Sequence, residues 1–125
     1  MPLRLLTVDD HPSVRRLLTL LAEQDERFGD VSGAGKAADA LQRAADDQPD
    51  VIVLDAALGD DDGLTMLPAF RTAAPGAVIA IFSSAPYADE ATSRAAGADG
   101  YVEKGTDPDL LLDHLVALAE ARTAV

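Results

Sequence analysis

Leu3-Arg4-Leu5-Leu6-Thr7-Val8-Asp9-Asp10 is the stretch that decides the fold. Its first six residues are mostly apolar with little alternation, the habit of a strand buried on both faces of a parallel sheet. Two carboxylates follow at once, at the carboxyl end of that strand. The arrangement recurs along the chain. Val51-Ile52-Val53-Leu54 runs into Asp55, and the short Tyr101-Val102-Glu103 stretch runs into Lys104. Open α/β sheets bind their ligands outside the carboxyl ends of the strands. Three carboxylates gathered there repel one another, and a hard divalent cation is the simplest relief.

Working outward, strand and helix signals alternate five times. Residues 11–25 read as a first helix, with Pro12 in its first turn and a stripe of Val14, Leu17, Leu18 and Leu21. Residues 28–34 form a weak second strand, broken by glycines and expected near an edge. Ala37, Ala40, Leu41 and Ala44 give the second helix its apolar stripe. Gly59 to Gly63 is an acidic loop after the third strand. The third helix is expected over residues 64–74, starting late or bent because Pro68 lacks a backbone donor. Val78 to Phe82 is the fourth strand. A fourth helix is expected over residues 87–96, rich in Ala and without a large aliphatic residue. The fifth strand, residues 101–103, is short. Asp107 and Pro108 then open a fifth helix that buries Leu111, Leu112, Leu115, Val116, Leu118 and Ala119. Five such units imply a doubly wound α/β sheet with right-handed crossovers.

Composition narrows the function. A chain of 125 residues reads as one domain, residues 1–125, and 48% hydrophobic content supplies its core. With three Phe, two Tyr and no Trp, that core is built from Leu, Val, Ile and Ala. The absence of cysteine excludes disulfides and thiolate metal sites. A net charge of −12 argues against nucleic-acid binding by this surface, since phosphate contacts need clustered Lys and Arg. Arg15-Arg16 is the one adjacent basic pair. No signal pattern opens the chain, and no apolar run approaches the roughly 20 residues that span a bilayer. A cytoplasmic protein without membrane association is the expectation. No repeat, linker or low-complexity stretch is visible, and the fifth helix ends so near residue 125 that no effector domain is expected within this sequence.

The segments Val8-Asp9-Asp10-His11-Pro12, Leu54-Asp55 with Gly63 eight residues on, Ser83, and Gly97-Ala98-Asp99-Gly100-Tyr101-Val102-Glu103-Lys104 stand in a telling order. With these segments the chain resembles the receiver domains of two-component response regulators, and most of all those that precede a LuxR-type helix-turn-helix. The resemblance covers essentially the whole chain. It implies a flavodoxin-like, five-stranded parallel sheet of order 2-1-3-4-5 with five helices, which sets strands one and three side by side.

It also implies roles. Asp55 would be the phosphoacceptor, a carboxylate nucleophile that forms an aspartyl phosphate. Because anion attacks anion, positive charge is required, and Mg²⁺ is the implied cofactor. Asp10 and Asp55 would bind the metal directly, Asp9 mainly through water, and Ala57 through its main-chain carbonyl. Lys104 would pair with the phosphoryl group as a point charge. Ser83, preferred to Ser84, would donate its hydroxyl to a phosphoryl oxygen, and Tyr101 would change rotamer as the switch is thrown. His11 is read as a residue opening a helix rather than as a ligand, and His114 as an ordinary helix residue. The implied partners are a histidine kinase or phosphotransfer protein, a second copy of the domain, and a DNA-binding effector domain outside this sequence. This domain itself would contact neither nucleic acid nor membrane.

Some positions depart from the family. Gly59 stands where proline is usual, followed by Asp60, Asp61 and Asp62; Gly105 stands where proline often follows the lysine; and the segment from Ser83 to Gly97 is about one residue short. Two rivals come from other classes. One is a receiver-like binding module that works without phosphorylation. The other is an aspartate-nucleophile phosphatase, which needs a second carboxylate two residues after the nucleophile, where this chain has Ala57.

Overall fold

In the computed structural model, which describes residues 2–84 and 88–123, the opening run becomes strand β1, Leu3–Val8. It lies between β2 (Phe28–Ala34) and β3 (Val51–Asp55), parallel to both. Strand β4 (Val78–Ser83) follows β3, and β5 (Gly100–Glu103) forms the far edge. The order is therefore β2-β1-β3-β4-β5, the arrangement the family resemblance implied. The strand order reverses between β1 and β3, with all strands parallel, which opens a crevice at their carboxyl ends.

Helices cover both faces. On one, α1 (Pro12–Glu23) and α5 (Pro108–Thr123) pack Leu18, Ala22, Leu111 and Leu115 onto Leu5, Val51, Val53, Val78 and Phe82. On the other, α2 (Ala37–Asp47) and α3 (Gly63–Ala73) pack Ala40, Ala44, Leu67 and Phe70 onto Leu6, Val8, Ile52, Leu54 and Ile81. Residues of one strand alternate between the two cores, as the two-residue period of a strand requires. Small alanines on α2 let it lie close to the sheet. Among the described residues, no helix is long and apolar enough to cross a membrane.

Several elements differ from the sequence reading. Leu17, placed in the buried stripe of the first helix, is 49% exposed. The face actually buried centres on Leu18 and Ala22, and Ala22 allows a closer approach than Leu17 would. Helix α3 does not start late: it runs from Gly63 through Pro68, capped by Asp62, whose carboxylate accepts from the Leu64 amide. The fourth helix, α4, is shorter than expected, spanning Glu90–Ala95 with Asp89 as its cap. Tyr87, the expected start, lies outside the described residues. The acidic loop holds a small antiparallel ribbon, Ala57–Leu58 against Asp61–Asp62. At the start of α5, Asp107 does cap the helix, accepting from the Asp109 amide at 2.9 Å.

Candidate functional site

The crevice brings Asp9, Asp10 and Asp55 together. Asp9 and Asp10 continue β1, and Asp55 closes β3, whose neighbour in register on β4 is Phe82. One carboxylate oxygen from each, together with a nitrogen of His11, lies within 4.8 Å of the others. Asp9 and Asp55 are buried, at 3% and 4% exposure, while Asp10 is open to solvent.

Lys104, at the end of β5, reaches across β4 to this cluster. Its Nζ lies 2.8 Å from Asp9 Oδ2 and 3.0 Å from Asp55 Oδ2. Its own amide donates to the Ser83 carbonyl at 2.8 Å, which fixes where the side chain starts. The ammonium also stands 5.7 Å from the centre of the Phe82 ring.

Two buried acids thus share one lysine, and their proton affinities part. Burial pushes Asp55 above the usual carboxylate range, and the hydrogen bonds from Lys104 and the Ala57 amide only partly offset it, while the charge on Asp9 adds to the rise. Asp9 is buried too, but hydrogen bonds from Lys104 and from the amide and ring of His11 outweigh that burial and hold it low. For Lys104, burial opposes its charge, yet the two carboxylates overcome it and raise its affinity for the proton.

The acidic turns are held by backbone donors. The Ala57 amide donates to Asp55 Oδ1 at 3.0 Å, which sets the Ala57 main chain beside the acceptor carboxylate. The Gly59 amide donates to Asp10 Oδ2 at 3.2 Å. Proline, the residue usual at this position in the resembled family, has no amide hydrogen to give, and Gly59 sits at φ +62°, where glycine is unstrained. Gly63 returns the chain against β3: its amide donates to the Ala56 carbonyl at 2.7 Å, and a Cβ there would collide with the Asp55 carbonyl oxygen. That close approach is the reason for glycine eight residues after Asp55.

Ser83 ends β4, is buried, and sits one residue beyond Phe82, the partner of Asp55. Ser84 is exposed and outside the strand. Tyr101 lies on β5 opposite Ile81, half-buried against the core that α2 and α3 cover. Burial raises its phenol pKa, and the charges of Glu103, Asp89 and Glu90 raise it further.

His11 opens the first helix, as its place in the sequence suggests, and its ring also stands beside the acids. It occupies the cap position of α1, but its side chain does not cap. Its Nδ1 lies 2.9 Å from Asp9 Oδ1 and 3.1 Å from Asp10 Oδ1, inside the acidic cluster. The only signal in the sequence was adjacency to the acid pair. Arg15, singled out only for its basic neighbour, donates through Nη1 to the Asp9 carbonyl at 2.7 Å. The Asp99 of the Gly97–Gly100 segment lies away from the carboxylates and clamps Arg71 and the Ile79 amide.

The donor set fits a small hard cation. Carboxylate oxygens are the ligands Mg²⁺ takes, usually one or two of them with water completing its shell, and the exposed side of Asp10 leaves room for water.

Comparison with known proteins agrees with this geometry. A family model described as the response regulator receiver domain matches residues 5–116. The nitrate/nitrite response regulator protein homolog of Haemophilus influenzae is 36% identical over 119 residues, covering 94% of this chain and 57% of that protein. The chain thus spans a little over half the length of such relatives. Among solved structures, a LuxR-family two-component response regulator from an Aurantimonas species superposes with a TM-score of 0.83 at 29% identity, covering 98% of this chain and 88% of that one. A response regulator from Burkholderia pseudomallei, solved with a phosphorylated aspartic acid, calcium ion and citrate, gives 0.80 at 27% identity, covering 97% and 71%.

Proposed function

This chain belongs to the response regulator receiver domain family of two-component systems, and from that premise we propose that it accepts a phosphoryl group on Asp55 and converts the event into a change of binding surface. The observation that carries the assignment is the buried Asp55 carboxylate at the end of β3, 3.0 Å from the Lys104 ammonium and grouped with two further acids. The Burkholderia relative, solved with a phosphorylated aspartic acid and a calcium ion, supports the same pairing of acyl phosphate and divalent cation here.

The donor is a phosphohistidine of a histidine kinase or phosphotransfer protein, or a small acyl phosphate. An oxygen of Asp55 attacks phosphorus and the bond from phosphorus to the donor nitrogen or oxygen breaks; a histidine leaving group takes up a proton, whereas the carboxylate of an acyl phosphate departs as the anion. Raised proton affinity signals a carboxylate that is poorly solvated when charged, and so more reactive as an anion. Asp10, Asp55 and the Ala57 carbonyl, with Asp9 behind them, would hold Mg²⁺, which when bound would supply the positive charge that transfer between two anions requires. Lys104 then exchanges its pairing with Asp55 for the phosphoryl oxygens. Ser83 supplies a hydroxyl from the next strand. Water later hydrolyses the acyl phosphate, so the chemistry is self-directed and needs no external substrate to be turned over.

The output follows from differential contact. A phosphoryl group that binds Ser83 and Lys104 better in one of two arrangements of β4, β5 and α4 shifts the population toward it. Tyr101, on the strand that packs against α4, reports that shift. The readers are a second copy of the domain or a DNA-binding effector domain, as the length of the relatives suggests. The setting is the cytoplasm.

The test is intact mass after incubation with acetyl phosphate and Mg²⁺, with Asp55→Asn alongside. A single Mg²⁺-dependent phosphoryl adduct, absent from the variant, is expected. No adduct on the wild-type chain would leave a receiver-like module that works without phosphorylation.

A further inference from the structure

The acidic turn that follows β1 has to keep Asp9 and Asp10 at fixed places, and two features of the chain bear on it that the acceptor chemistry does not use: Arg15, and the glycines that flank the end of β2, Gly33 and Gly35. The Asp9 main chain is tied on both sides. Its amide donates to the Ala34 carbonyl at 3.1 Å, and its carbonyl accepts from Arg15 Nη1 at 2.7 Å. Arg15 stems from the first turn of α1 and is half-buried. Its side chain runs in a trough that exists because residues 33 and 35 are glycines. A Cβ on Gly35 would stand 2.6 Å from Arg15 Nη1 and 3.3 Å from Cζ; one on Gly33 would stand 3.4 Å from Arg15 Cδ and 2.9 Å from Thr7 Oγ1.

The choice of partner is informative. A guanidinium beside acids ordinarily takes a carboxylate through two parallel bonds. Here it bonds a neutral carbonyl, so the turn gains a charge-assisted hydrogen bond that takes up no carboxylate oxygen. Mg²⁺ demands near-ideal octahedral geometry, so a small displacement of the turn lowers its affinity. We propose that Arg15, seated in the Gly33–Gly35 trough, is a positioning residue for the cation site: it holds the Asp9–Asp10 turn in the geometry that binds the divalent ion. This rests on the acceptor reading above and adds to it a residue outside the reacting set.

Gly35→Ala and Arg15→Lys test it together, because both keep the positive charge and disturb only the contact. In Gly35→Ala the clash falls on the far end of a flexible side chain, which moves aside without disturbing the sheet. Calorimetric titration of the purified chain with MgCl₂ gives the affinity, and adduct formation from acetyl phosphate is followed at limiting and at saturating Mg²⁺. The expected result is a weakening of Mg²⁺ binding on the order of tenfold, the scale for residues that orient metal ligands, with the adduct rate recovering at saturating Mg²⁺. Affinity within twofold of wild type in a folded variant, or a rate that stays low at saturating Mg²⁺, overturns the inference. If the wild-type chain itself takes up no Mg²⁺, the acceptor reading fails and this one with it; if the wild type binds and the variants match it, only the positioning role fails.

Discussion

Lys104 Nζ lies 3.0 Å from Asp55 Oδ2 across 49 residues of sequence, and the same nitrogen lies 2.8 Å from Asp9 Oδ2. One cation therefore serves two buried carboxylates. Lys104→Met leaves both acids without a counter-ion, and removing one partner of a buried pair is strongly destabilising, here by roughly 3 kcal/mol. Because the missing charge is what hurts, millimolar Mg²⁺ should restore most of the loss. Urea unfolding of wild type and variant, with and without Mg²⁺, measures this; a loss that Mg²⁺ leaves unchanged would assign the damage to packing instead.

Asp55→Asn should act in the opposite direction. Burial raises the proton affinity of Asp55 in the folded chain. A group whose folded pKa lies above its unfolded one stabilises the fold below the unfolded value, and that contribution is lost as pH rises through the folded value. At neutral pH, without Mg²⁺, the charged carboxylate is therefore a burden, and the variant should melt a few degrees higher, about what 1 kcal/mol gives in a domain of this size. The difference should shrink as pH falls through the raised Asp55 pKa. Melting curves across that range check the sign; a variant less stable than wild type at neutral pH refutes it.

Asp99 belongs to the Gly97–Gly100 segment, yet its work is structural. It accepts from Arg71 Nη2 at 2.6 Å and from the Ile79 amide at 2.8 Å, joining α3 to the start of β4. Asp99→Ala strands those donors, and the expected loss is about 1–3 kcal/mol. The adduct rate per folded molecule should not change. A lower rate at full folding would draw Asp99 into the acceptor machinery.

Helix α4 should open more readily than α1 or α5. It has six residues, of which only Ser93 is buried, and the Ser93 hydroxyl finds no hydrogen-bond partner among the described residues. Little apolar burial means low local stability. Amide exchange followed by mass spectrometry should show the Glu90–Ala95 segment exchanging first among the helices. Protection equal to that of α5 would remove α4 as the moving part.

How far the sequence could be read follows from what each element depends on. The strands were legible because burial on both faces leaves unbroken apolar runs, as in Val51–Asp55. The acids were legible because each stands directly after such a run. Leu17 misled because a stripe of period 3.6 fixes the buried face only to within a residue or so, and tight packing through Ala22 settled it. The Ala57–Leu58 ribbon has no pattern of its own; it exists because Gly63 must return to the end of β3. The contacts of His11 and Arg15 were not legible for a common reason. Their partners are an acidic cluster and a carbonyl assembled from β1 and its turn, and sequence alone did not show where a side chain leaving the first helix would lie.

The most direct test locates the phosphoryl group. The chain is treated with acetyl phosphate and Mg²⁺, the acyl phosphate is reduced with borohydride, and peptides are mapped by mass spectrometry. Reduction turns a phosphorylated aspartate into homoserine. Homoserine is expected at position 55 alone, lost when Mg²⁺ is withheld. Homoserine at position 9, 10 or 60–62, or none anywhere under conditions that label an active receiver in parallel, would contradict it.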